Sequence, residues 1–304
     1  MTNLAWSRLP FLLLAGSLAA GELRAGVGTW LWDARVLGTV TANRLFSPSF
    51  MVIGAGEFSS SALARPAFIF ELLYQVCGRK VPIHAWVQGN LPPKAVLSFE
   101  KGKAFGLTIN TTLEGLCFKD VQLAFLTALK TDPLVIEWLR GMRAALDPIY
   151  RLRVTAPFLS ITPGDAPSWP PDFARSVLNV VDTLDIAFHS SGKHSTAEFS
   201  QFLREQWNHA TKLLDGDWGG RRKELMAGFS AFKSISDHHD PAAEKLELVD
   251  DFFKALPLAE LAPLCNGRIQ LAVFASFTMD DRARGIVGKM GRRIDEQCKK
   301  KPKS

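Results

Sequence analysis

The chain lacks most of the short motifs that name a chemistry. Its 304 residues contain no GxSxG elbow, Walker A loop or HExxH pair, and no cysteine in a papain-like context. That removes four common routes to an active site. The four cysteines, Cys77, Cys117, Cys265 and Cys298, lie far apart and form no CxxC pair, so neither a zinc ribbon nor a thioredoxin-type centre is available. Internal repeats, low-complexity tracts and a linker rich in Pro, Gly and Ser are also missing, which favours a single domain. A basic stripe interleaved with aromatics is absent too. The net charge of +6 is concentrated in the C-terminal GRRIDEQCKKKPKS, and a solvated basic tail over residues 291–304 accounts for it without a nucleic-acid partner.

What is present suits a packed globular protein, with 47% hydrophobic residues and enough length for one large domain. At the N-terminus one arginine in MTNLAWSR precedes the apolar run LPFLLLAGSLAAG, and small residues follow at Ser17, Ala19, Ala20 and Ala25. This is the layout of a secretory signal peptide over residues 1–25, too short for a comfortable membrane span. The expectation is export, periplasmic or secreted, with no stable membrane span after cleavage; a buried N-terminal helix is the alternative. An exported chain could form one or two disulfides, and four buried thiols fit the spacing equally well.

Apolar segments with strand character alternate with helical ones. VGTWLWD (27–33), SFMVIGAG (49–56), VPIHAWVQ (81–88), AFGLTINTT (104–112), RLRVTAPFLSI (151–161), TLDIAFH (183–189), MAGFSAFKSI (226–235) and RIQLAVFASFT (268–278) read as strands. Between them, residues 62–78, a long stretch from Asp120 to about Leu146 broken at Pro133, 195–214 and 241–256 read as helices, and Asp280 and Asp281 start a terminal one. Ser195 or Thr196 caps the most amphipathic of these, which sets Phe199, Phe202, Leu203 and Trp207 on one side. Eight strands alternating with helices over about 250 residues predict a (β/α)8 TIM barrel spanning 26–290. A doubly wound, Rossmann-like open sheet explains the first half equally well.

In a barrel, the residues just past the C-terminal strand ends share one rim, where active sites form. That rim would hold Asp33, Glu57, Trp86 with Gln88, Asn110 with Thr112 and Glu114, Ser160 with Asp165, His189, Asp237 with His238 and His239, and Asp280. Indoles for stacking among amides and carboxylates suit a glycan or another small polar ligand. Trp30 and Trp32 share one face of the first strand.

GTWLWD, IHAWVQGN, GLTIN and TLDIAFH, in that order, resemble exported glycoside-hydrolase-like barrels of the chitinase-related type. In chitinases the fourth strand ends in a run of aspartates leading to a glutamate that acts as general acid. With GLTINTT as that strand, Asn110 stands where an aspartate is expected and Thr112 where the acid belongs, so the motif is not intact. The resemblance therefore implies either a hydrolase in which Glu57 or Glu114 supplies the proton, with Asp33 in support, or a pseudoenzyme that binds sugar without cutting it. Trp32, Trp86, Gln88, Asn110 and His189 are the expected substrate contacts.

Two features compete. GAGEFSS (54–60) places Gly54, Gly56 and Ser59 in a degenerate GxGxxG, the basis of an alternative reading as a cytoplasmic nucleotide-binding oxidoreductase or transferase. SDHHDP (236–241) is the densest set of potential metal ligands, but adjacent side chains chelate one ion poorly, and a polar loop capping the next helix explains it better. No cofactor and no metal is expected.

Overall fold

The computed structural model describes residues 27–31, 49–58, 63–64, 82–88, 97–114, 116–124, 132–156, 169–188, 195–231, 240–274 and 279–300. Eight parallel strands run in chain order: β1 (Val27–Leu31), β2 (Met51–Phe58), β3 (Ile83–Gln88), β4 (Asp120–Ala124), β5 (Arg151–Ala156), β6 (Thr183–Ala187), β7 (Glu224–Ser230) and β8 (Ile269–Phe274). Each pairs with the next, and β1 lies between β2, through Thr29 and Met51, and β8, through Val27 and Leu271. The sheet is closed, a (β/α)8 TIM-like barrel, and this overturns the open doubly wound alternative. A two-residue strand, Leu63–Ala64, pairs antiparallel with the end of β2, where a helix over 62–78 was expected to begin; the rest of that stretch lies outside the described residues.

Seven helices are described: α1 (Phe99–Leu113), α2 (Pro133–Ala145), α3 (Pro171–Val180), α4 (Thr196–Leu214), α5 (Leu246–Ala255), the single turn α6 (Ala262–Cys265) and α7 (Asp281–Lys299). Their starts follow local chemistry. Asp132 accepts from Leu134 N at 3.0 Å, with Pro133 opening α2. Ser195, rather than Thr196, caps α4 in a reciprocal box with Glu198, and Asp280 accepts from Ala283 N to start α7. Each cap satisfies backbone donors that have no partner inside the helix. Among the described residues no helix is long and apolar enough to cross a membrane.

One element differs in kind. AFGLTINTT is not the fourth strand; it forms most of α1, and β4 is DVQLA, inside a stretch expected to be helical from Asp120. The run of β-branched residues suggested a strand, but Gly102, Gly106, Ile109 and Leu113 are the buried positions, and their spacing of four, three and four is helical. Thr108, Thr111 and Thr112 return their hydroxyls to the carbonyls of Ala104, Leu107 and Thr108, so helical geometry satisfies them. The glycines let α1 and α2 touch: a Cβ at Gly102 would collide with the Trp138 carbonyl, and one at Gly141 with the Phe99 carbonyl.

The main core fills the shell between the outward faces of the strands and the helices. Val121, Leu123, Leu152, Val154, Leu184 and Ile186 from the strands meet Leu139, Met142, Val177 and Leu203 from the helices. On the far side Trp207 lies edge-on to Phe252 and Phe253. Residues 291–299, expected to be tail, continue α7: Ile294 is buried, and Cys298 is bonded to Cys265, 33 residues earlier. Cys117 is disulfide-bonded as well.

Candidate functional site

Strand side chains alternate between the shell and the barrel interior, and the interior divides into two halves. One is apolar: Phe50, Val52, Trp86, Met226, Ala272 and Phe274 form a separate buried cluster, with Trp86 edge-on to Phe274 at 5.9 Å. Gly28 belongs here by necessity, since a Cβ would enter the Phe50 ring. The other half is charged and centres on Arg153, which is fully buried.

Arg153 contacts residues of five strands at once, which is possible only from inside the barrel. Its Nη1 donates to Asp120 Oδ2 on β4 at 3.2 Å and its Nη2 to Asp185 Oδ1 on β6 at 3.0 Å. Gln270 on β8 and Met226 on β7 take further contacts. On β3, His84 places Nδ1 2.6 Å from Asp120 Oδ2 and turns Nε2 toward the guanidinium at 3.5 Å. Below, Glu224 holds Arg151 at 3.0 Å and Arg222 at 3.1 Å, and Gln122 donates to Thr155.

These groups retune one another. Burial, with Arg153 beside it, holds His84 below the ordinary histidine value despite Asp120. Burial alone would raise Asp120, but His84, Arg153 and Arg151 outweigh it and keep the carboxyl well below the usual range. Burial pushes Asp185 up to about 6 against the pull of Arg153, and Asp120 adds to the rise.

A second feature lies at the C-terminal end of the barrel. A cavity of about 560 Å³ opens where the end of β7 meets the N-terminal ends of α5 and α7. Ser230, Glu244, Lys245, Met279, Asp280 and Arg282 line it, and Arg282 is paired with Glu247 at 2.8 Å. Of this set the sequence singled out Asp280 alone.

The residues expected at the rim scatter. Asn110 sits on α1, where its amide donates to Ala145 O and accepts from Asp147 N, so it ties α1 to the end of α2. Glu114 is the C-cap of α1. A helix that follows an upward strand ends at the opposite, N-terminal face, so neither residue stands at the rim. Trp86 is 1% exposed and packed inside the barrel, so it offers no stacking platform. Glu57 and Gln88 do approach the C-terminal ends of β2 and β3 and are register partners. Asp33, Trp32, His189, Ser160, Asp165, Asp237, His238 and His239 lie outside the described residues, and so do both ends of the proposed export segment.

Gly54 and Gly56 are inside β2, with a register shift between them. They do not form a strand-to-helix turn, and the nucleotide reading loses its phosphate loop. Among the described residues no group of three or more His, Cys, Asp and Glu side chains is placed to hold a metal ion. The charged half of the interior was missed from sequence. Its signal was the alternation in IHAWVQ, DVQLA, RLRVTA and TLDIA, which puts His84, Asp120, Gln122, Arg151, Arg153, Thr155, Thr183 and Asp185 on one side of their strands.

No protein-family model matches the chain, and no curated protein matches it. Solved structures do. The spore cortex-lytic enzyme SleL of Bacillus cereus superposes with a TM-score of 0.57 at 10% identity, covering 88% of this chain and 74% of that one. A GH18 chitinase from Pseudoalteromonas aurantia gives 0.59 at 9% identity, over 90% and 99%. The active domain 2 of the thermostable chitinase from Pyrococcus furiosus, solved in complex with chito-oligosaccharides, gives 0.57 at 10%, over 90% and 95%. The chain shares the chitinase-type barrel fold.

Proposed function

We propose that the protein is an exported barrel that binds a glycan along its C-terminal rim without cleaving it by the chitinase route. The observation that carries this reading is the identity of β4. Its only carboxylate, Asp120, stands at the N-terminal end of the strand and is committed to His84 and Arg153, and positions 121 to 131 contain neither Asp nor Glu. A strand that ends in Gln122, Leu123 and Ala124 has no proton donor for a leaving oxygen. A sugar ligand is supported by the fold shared with chitinases and by the rim cavity, which mixes carboxylates, cations and apolar walls. Export is supported by the Cys265–Cys298 disulfide, a bond that persists in oxidising compartments, and by the signal-like residues 1–25. Glu57, Gln88, Asp33, Trp32 and His189 remain the proposed rim contacts.

A second reading, hydrolysis with Glu57 as the acid, is favoured by one observation: Glu57 pairs in register with Gln88 near the upper ends of their strands. One experiment separates the two. Wild type and Glu57→Gln are assayed for binding and turnover on a panel of oligosaccharides that includes chito-oligosaccharides. Binding without turnover is the expected outcome. Turnover that falls by roughly 10²–10⁴-fold in Glu57→Gln would assign a positioned proton donor and establish the second reading, and absence of binding to any glycan would remove both.

A further inference from the structure

We propose that Asp185 is held inside the barrel as a neutral carboxylic acid in mildly acidic solution, and that its ionisation toward neutral pH makes the charged half of the interior a pH-sensitive lock on the fold. The argument begins with a charge count. Glu224 meets both Arg151 and Arg222, and the one positive charge this leaves over sits on side chains 40% and 49% exposed, at the solvent edge of the set rather than inside it. The fully enclosed set is then Arg153, Asp120, Asp185 and His84, one guanidinium against two carboxylates. Gln270 and Met226, which contact Arg153, and the register neighbours Gln122 and Thr183 of Arg153 and Thr155 of Asp185, carry no charge. Arg151 reaches Asp120 only at 4.0 Å.

An enclosed net negative charge is expensive, so one proton is needed, and geometry says where it resides. His84 does not carry it. Its Nδ1 lies 2.6 Å from the Asp120 carboxylate, while its Nε2 faces Nη1 of Arg153; a proton on Nε2 would point at a donor. Asp120 is the shared acceptor of both neighbours and is held ionised by them. Each aspartate has one buried oxygen without a hydrogen-bond partner, Asp120 Oδ1 and Asp185 Oδ2, but Asp120 has His84 and, at 4.0 Å, Arg151 beside it as well as Arg153, whereas Asp185 has Arg153 alone. A bare anionic oxygen there would be the least tolerable arrangement of the set, and a protonated one the least costly. The upward shift of this carboxyl, to about 6, agrees.

The sign of the consequence follows. In the unfolded chain the carboxyl titrates at about 3.9. A group with a raised native value contributes stability that is complete below the unfolded value and is lost as pH rises through the native one. Because Arg153 joins β3, β4, β6, β7 and β8, loss of this proton leaves unbalanced charge where five strands meet.

Denaturant unfolding of wild type and Asp185→Asn between pH 4 and 8 tests the assignment. The folding constant of wild type relative to the variant should fall by roughly tenfold per pH unit between about 4 and 6, then level off. A ratio that does not change with pH would overturn the proposal. Should Asp185→Asn fail to fold, carbon-13 NMR of wild type labelled at its aspartate carboxyls decides alone. One carboxyl titrating near 6 in the folded protein is expected, and titration of every aspartate below about 4.5 would overturn the proposal.

Discussion

In the shell, Trp207 meets Phe252 and Phe253 at ring distances of 6.3 and 5.4 Å. Inside the barrel, Arg153 is equally inaccessible and meets two aspartates, a histidine and a glutamine. Both regions exclude water, but they are stabilised differently. The shell gains from apolar area, which adds up over many interchangeable contacts. The charged interior works only as a set, because each member is tolerable only while its partners are in place.

The strongest test of that contrast pairs two substitutions of similar expected cost. Arg153→Met and Trp207→Ala should each remove about 3–5 kcal/mol of unfolding free energy, the first by stranding two buried carboxylates and the second by leaving a cavity. They should part company with pH. Without the guanidinium, Asp185 loses the one group that holds its carboxyl down and is driven further above its unfolded value, so the loss in Arg153→Met shrinks as pH falls. The loss in Trp207→Ala should not change. Parallel curves in denaturant unfolding at pH 5 and 8 would mean that the two regions are built alike after all.

A smaller effect should come from the covalent tie at the edge of the shell. Cys298→Ser opens a bond that closes 33 residues and should cost about 2–4 kcal/mol; a thermal midpoint unchanged by the substitution or by reductant would deny the tie any role. Smaller again is Gly102→Ala. Its methyl group has to push α1 away from the Trp138 carbonyl, which should cost about 1–3 kcal/mol. Calorimetry showing a stabilised variant, as expected for alanine in an open helix, would refute the close approach of α1 and α2.

Much of the barrel could be read in advance because short-range signals agreed with long-range packing. The segments of β1, β3, β5, β6 and β8 lie within stretches whose apolar character marks strands, β2 and β7 overlap such stretches by all but two residues each, and Ser195 with Glu198 spells out the start of α4. The two misread segments were those in which local preference opposed the final state. α1 is rich in β-branched residues and becomes a helix because Gly102 and Gly106 offer a groove to α2. β4 is five residues long and half polar, so it carried too little hydrophobic signal to stand apart from the helix after it. That single exchange moved Asn110 and Glu114 from the expected rim to the opposite face of the barrel.

The sequence by itself determined that this is an alternating α/β chain of about eight units, because periodicity and caps act within a few residues and need no partner. Only the tertiary structure decided which segment became the fourth strand, and that Arg153 would find Asp120 and Asp185, each more than 30 residues away. The reason is physical. Closing a barrel brings together inward side chains that are remote in sequence, and the cost of burying a charge is set by the neighbours found there rather than by the residues beside it in the chain.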